Sequence, residues 1–324
     1  MRAIVVTRPG APGVLALREV SDPVAGPREV VVRVVAAGVN RADLLQRLGL
    51  YPAPAAAPGP GLEFAGYVAE TGAGVRLLAP GDRVMGIVSG GAYAERVAVD
   101  ERLCMIVPAS VDWVTAAAVP ETFLTAYDAL FRRVSLTVGE TLLLQAAGSG
   151  VGTAALQLGL IAQARIVALS RSAAKREALS KIGAQHVLDP SAPSAVDEVL
   201  AATAGCGVDV VLDLVGASAF EFHLRVLRER GRWVLVGLLG GSRREVDLFQ
   251  LMRKRLTLIG TVLRSRTLEQ KIALVEEFSA RILPLIADGR VSPVVHGVLD
   301  LDRAAEAHAL MERGENLGKI VLRV

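Results

Sequence analysis

The feature that most constrains this chain is an apolar run opening directly into a glycine-rich turn, Leu142-Leu143-Leu144-Gln145-Ala146-Ala147-Gly148-Ser149-Gly150-Val151-Gly152, followed by helically spaced apolar residues over 153–162. A buried strand that feeds a helix through such a turn opens a βαβ unit. The glycines let the backbone turn tightly, and the first amides of the helix lack intrahelical partners and carry the positive end of its dipole. Together they suit a pyrophosphate. Gly148, Ser149, Gly150, Val151 and Gly152 are therefore expected to bind a dinucleotide.

A second strand, expected over 165–169, ends about 20 residues beyond the turn, where an NAD-binding protein places an acid on the ribose 2′-hydroxyl. No acid stands there. The chain reads Ser170-Arg171-Ser172-Ala173-Ala174-Lys175, which offers a hydroxyl, a guanidinium and an ammonium to a 2′-phosphate. NADP(H) is expected rather than NAD. The competing reading is a solvated helix start with Ser172 as its N-cap.

The βα alternation continues, with helices over 173–182 and 219–227 and strands over 208–214, 232–237 and 256–263. This pattern predicts a doubly wound parallel sheet. Before residue 109 the chain instead shows short β-rich runs, such as 30–35 and 83–88, punctuated by Gly and Pro, which predict an antiparallel, barrel-like half. The Ala/Pro-rich stretch 51–60 is expected to be an extended surface loop bordering a cleft. A helix over 303–313 and a strand over 318–323 close the tail, which is expected to rejoin the first half. At 324 residues, 52% hydrophobic and 21% charged, the chain has the length and composition for two packed cores. The fold class is α/β, divided as 1–118, 119–262 and 263–324, with the outer pieces forming one domain.

Several classes are excluded. A net charge of +3 with scattered basic residues does not suggest nucleic acid, and Arg253-Lys254-Arg255 reads as wet surface. No apolar stretch approaches a membrane span, and the opening MRAIVVTRPG lacks the pattern of a signal peptide, so a cytoplasmic protein is expected. Cys104 and Cys206 are too far apart for a CxxC site, and no pair among the four histidines has metal-ligand spacing.

Nearly the whole chain resembles the medium-chain dehydrogenase/reductase superfamily, in its zinc-free NADPH quinone oxidoreductase branch. The matching segments include Ala36-Ala37-Gly38-Val39-Asn40-Arg41-Ala42-Asp43, Pro60-Gly61-Leu62-Glu63, Gly81-Asp82-Arg83-Val84, Ala117-Ala118-Val119-Pro120-Glu121-Thr122, Leu263-Arg264-Ser265-Arg266 and Gly318-Lys319-Ile320-Val321. The resemblance implies a GroES-like catalytic domain built from both chain ends, a Rossmann domain between them, and a cleft where nicotinamide meets substrate. In zinc-dependent relatives a Cys stands where this chain has Asn40 and a His where it has Leu62. The resemblance therefore implies no catalytic metal, and Glu63 becomes a structural hydrogen-bond acceptor. One family feature departs: a Tyr on the 2′-phosphate side in many quinone reductases is replaced here by Pro190.

By the same resemblance Asn40 and Tyr51 line the substrate side and can donate to an acceptor oxygen, while Thr125 sits near the nicotinamide carboxamide. Gly216, Gly237, Leu263 and Asn316 join the cofactor-binding set. Alternatives stay open: Asn40 as a cap of a turn or of a helix over 42–48, Tyr51 packed on the proline loop, Thr125 bonded back to its own helix. The implied activity is zinc-independent hydride transfer from NADPH to a quinone or a similarly electron-poor carbonyl acceptor. A 2-enoyl reductase and a non-catalytic NADPH- or RNA-binding protein are the competing functions. A homodimer is expected, because the apolar run 256–262 would lie at a sheet edge.

Overall fold

Strands Thr141–Leu144, Arg165–Leu169 and Val208–Asp213 carry unbroken apolar runs, which suit a sheet covered on both faces. The computed structural model, which describes residues 1–51 and 59–324, joins them in a six-stranded sheet. Its order is His186–Leu188, Arg165–Leu169, Thr141–Leu144, Val208–Asp213, Leu227–Leu235, Thr257–Gly260. Every neighbouring pair is parallel. In chain order this is 3-2-1-4-5-6, the doubly wound arrangement in which ligands bind beyond the carboxyl ends of the strands where the order reverses. Leu143, Val167, Val211 and Trp233 meet in its core. The sheet belongs to a compact unit spanning Thr125–Ser265.

The other unit comprises Met1–Leu124 and Arg266–Val324. The long strand Glu29–Val39 pairs antiparallel with Glu63–Thr71, with Arg96–Asp100 and with the C-terminal strand Lys319–Arg323. Val295–Asp300 adds to Lys319–Arg323 in parallel. The chain's tail is thus stitched into the sheet of its beginning, and Ile320 lies opposite Val39, one residue before Asn40. Val30, Val32, Phe64 and Met85 fill this core. Most of the loop expected over 51–60 falls on residues 52–58, outside the described residues.

Candidate active site

Ser149 caps the helix Gly150–Ile161: its Oγ accepts from Gly152 N–H at 3.1 Å, and its carbonyl accepts from Thr153 N–H at 2.9 Å. That leaves the amides of Gly150 and Val151 as the open donors of the helix start. Gly152 is required by close approach, since a Cβ there would lie 2.5 Å from the carbonyl oxygen of Ala147. Packing this tight presses the helix end onto the strand, as a pyrophosphate cradle needs.

The neighbouring strand ends beside this turn. Ala147 N–H donates to Leu169 O at 3.0 Å, so Ser170 and Arg171 leave the sheet next to the glycines. Ser172 does cap the helix Ala173–Ile182, accepting from Lys175 N–H. Ser170 is buried, Arg171 exposed and Lys175 half-buried. The Lys175 ammonium is held below its ordinary pKa, first by partial burial and then by the Arg171 guanidinium. The charged form of Lys175 is thus disfavoured by the neighbouring guanidinium.

One residue here went unnoticed in the sequence. Arg176 donates through Nη1 to the carbonyls of Ser170 and Arg171 and to Asp189 Oδ2, at 2.9, 3.0 and 3.0 Å, fixing the loop that carries the cations. On the other flank, Asp213 Oδ1 accepts from Val215 and Gly216 N–H at 2.7 and 3.0 Å, while Oδ2 accepts from Trp233 Nε1 at 3.1 Å. This carboxylate sets the turn that carries Gly216 past the end of its strand. Gly237 and Leu263 follow the next two strands, so every candidate cofactor residue of this unit lies beyond the carboxyl edge of one sheet. Asn316 belongs to the other unit, where its Nδ2 donates to Gly318 O at 2.8 Å.

In that other unit Asn40 is the N-cap residue of the helix Arg41–Arg47. Asp43 reaches back to its N–H at 2.8 Å and also accepts from Gly61 N–H and the Tyr93 hydroxyl. The side chain of Asn40 is committed inward. Its Nδ2 donates to Glu63 Oε1 at 2.7 Å and more weakly to Gly38 O, and its Oδ1 accepts from Lys319 Nζ at 2.8 Å. The Asn40 amide, expected as a donor to an acceptor oxygen, thus has one N–H taken by a buried carboxylate and the other turned weakly to Gly38 O.

Lys319 also donates to Glu63 Oε1 at 2.5 Å and to Val39 O at 2.9 Å. Glu63 Oε2 accepts from Glu121 N–H at 2.8 Å. Glu63 is fully buried and Lys319 nearly so, and the carboxylate packs so closely on the backbone that a Cβ at Gly38 would meet Oε1 at 2.2 Å. This set does not fit a zinc ion. Asn40 and Leu62 offer neither a thiolate nor an imidazole, and a resident ammonium already satisfies Glu63. Among the described residues no three His, Cys, Asp or Glu side chains come together as a metal site.

Tyr51 is half-buried. In the helix Pro120–Tyr127 it is Thr122, not Thr125, that bonds back, to Ala118 O at 3.1 Å. Only Glu121 and Thr125 of that helix escape full burial. They are four residues apart and share its open face.

Residues 150–278 match the zinc-binding dehydrogenase family and residues 26–109 the alcohol dehydrogenase GroES-like domain. With the fold above, the chain belongs to the medium-chain dehydrogenase/reductase superfamily. It is 32% identical to bovine quinone oxidoreductase-like protein 2, over 95% of this chain and 88% of that protein. To the human synaptic vesicle membrane protein VAT-1 homolog it is also 32% identical, over 94% and 81%. Among solved structures, Escherichia coli quinone oxidoreductase complexed with NADPH superposes with a TM-score of 0.92 at 30% identity, covering 100% of both chains. An NAD-dependent alcohol dehydrogenase gives 0.90 at 31%, covering 100% of both. The CurK enoyl reductase gives 0.88 at 26%, covering 99% of this chain and 98% of its own. The chain is an oxidoreductase of this superfamily.

Proposed function

We propose that the protein is a zinc-independent, NADPH-dependent oxidoreductase that reduces quinones or other small electron-poor carbonyl acceptors. The observation that carries the reading is the pair Arg171 and Lys175 beside the glycine turn, on a strand end with no acid for a ribose hydroxyl. Gly148 to Gly152 hold the pyrophosphate through helix-end amides, Ser170, Arg171 and Lys175 hold the 2′-phosphate, and Gly216, Gly237, Leu263 and Asn316 complete the cofactor contacts. NADPH bound there supplies hydride.

The protein's part is orientation and charge stabilisation. Tyr51 donates to the acceptor oxygen, Thr125 holds the nicotinamide carboxamide, and Asn40 fixes the floor of the substrate side through Glu63 and Lys319. A quinone or enone suits a site without a Lewis acid, because the negative charge formed on reduction is delocalised, whereas a simple alkoxide would need a Lewis acid or a proton relay. The likeness to an enoyl reductase supports a second reading, in which the acceptor is an enoyl thioester. We place the enzyme in the cytoplasm as a homodimer paired through the strand Thr257–Gly260.

Titrating NADPH and NADH into the wild type and Arg171→Ala tests the cofactor assignment. A charge-assisted contact to phosphate is worth about 1.5–3 kcal/mol, so NADPH affinity should fall roughly 10- to 100-fold with NADH little changed. Equal losses for both cofactors would refute the phosphate role.

A further inference from the structure

Reduction of an enone or a quinone needs a proton as well as a hydride, and none of the residues so far assigned supplies one. Three carboxyl groups gather near Asn40. Asp43 is fully buried and accepts three hydrogen bonds, from two backbone amides and the Tyr93 hydroxyl. Glu63 is fully buried and accepts from Lys319, Asn40 and the Glu121 amide. Both are surrounded by donors and closed to a substrate. Glu121 differs on each count: among the described residues its carboxyl has no hydrogen-bond partner, and it reaches the open face of its helix, one turn from Thr125.

The local charges explain the state of that carboxyl. Lys319 bonds directly to Glu63, so its charge is already matched, and Glu121 sits beside a carboxylate with little left to offset a second negative charge. Partial burial first, and then the Glu63 charge, push the Glu121 carboxyl up to about 8; Asp43 acts in the same direction, while Lys319 and Lys271 pull it down. At neutral pH it is therefore a carboxylic acid with a proton to give, poised where a general acid works best.

We propose that Glu121 is the general acid that protonates the reduced acceptor. This rests on the oxidoreductase reading above. In an enone, hydride from the reduced nicotinamide forms the new C–H bond at the β-carbon and the C=C pair moves to an enolate. The Glu121 O–H bond then breaks and its proton passes to that enolate. In a quinone the same proton goes to the phenolate oxygen. The dinucleotide leaves oxidised, the acceptor gains two electrons and a second hydrogen, and the Glu121 carboxylate regains its proton from water.

The test compares wild type, Glu121→Gln and Glu121→Asp, holding NADPH, on two acceptors: a simple cyclic enone, whose enolate is strongly basic, and a halogenated quinone, whose hydroquinone anion is weakly basic. Steady-state kcat/KM is followed from pH 6 to 10, with NADPH affinity measured alongside. The wild type should lose enone activity above about pH 8, roughly tenfold per unit. Glu121→Gln should lower enone reduction by about 100-fold or more, flatten that alkaline limb, and cost the quinone far less, because general acids matter in proportion to the basicity they relieve. Glu121→Asp should restore part of the activity and the limb.

Equal losses on both acceptors, or an alkaline limb that survives in Glu121→Gln, would overturn the assignment while leaving the oxidoreductase reading intact. A wild type that oxidises NADPH with neither acceptor would remove that reading and this role with it.

Discussion

An ammonium withdrawn from water costs several kcal/mol unless it is paired and hydrogen-bonded. Lys319, with 2% exposure, meets that demand through three acceptors: Glu63 Oε1, Asn40 Oδ1 and Val39 O. Removing one partner of such a pair leaves the other charged and buried. Lys319→Met is therefore expected to lower unfolding stability in urea by about 3–5 kcal/mol, and adding Glu63→Gln to recover part of it. A loss below about 1 kcal/mol for the single variant, or simple additivity in the double, would show that the pair carries little. Half of this arrangement was legible in the sequence: the resemblance, in removing the metal, implied Glu63 as a structural hydrogen-bond acceptor. Lys319 stood only inside a matched segment, because its partner lies 256 positions away and no local pattern joins them. Asn40 was legible as a helix cap but not in its side-chain orientation, which depends on that same distant lysine.

At the scale of elements, hydrophobic period reads well where one element has one environment. The strand Arg165–Leu169 falls on its expected bounds, and the helix Gly150–Ile161 starts three residues before and ends one residue before the expected 153–162. The helix Pro120–Tyr127 is regular and then widens to a π-turn across Asp128–Arg133. Apolar spacing cannot separate these two windings, since both keep the same face inward. The run expected at a sheet edge does form the edge strand Thr257–Gly260. Leu258 is 44% exposed there, and the nearby helix Leu248–Arg253 leaves Leu248, Phe249 and Met252 open to solvent. An unpaired edge beside apolar surface is what a two-fold strand pairing would cover. Light scattering should give a dimer mass for the wild type and a monomer mass for Leu258→Lys. A monomeric wild type would contradict the proposed pairing.

At the scale of the whole molecule, the alternation of strand and helix after residue 120 sufficed to foresee a doubly wound sheet, and the observed 3-2-1-4-5-6 order follows from right-handed crossovers on both sides of the first strand. The pairing partners within the β-rich unit were less legible. Short strands between Gly and Pro turns can pair in many ways, and only packing fixes Glu29–Val39 against both Glu63–Thr71 and the chain's last strand. In the proposed function the glycine turn and the cations after the second strand together hold a phosphorylated dinucleotide. A crystal structure of the protein with NADPH tests it most directly. The pyrophosphate should lie on the amides of Gly150 and Val151, with the 2′-phosphate within hydrogen-bond reach of Arg171 and Lys175. NADPH bound elsewhere, or at the turn with its 2′-phosphate directed away from both cations, would contradict the claim.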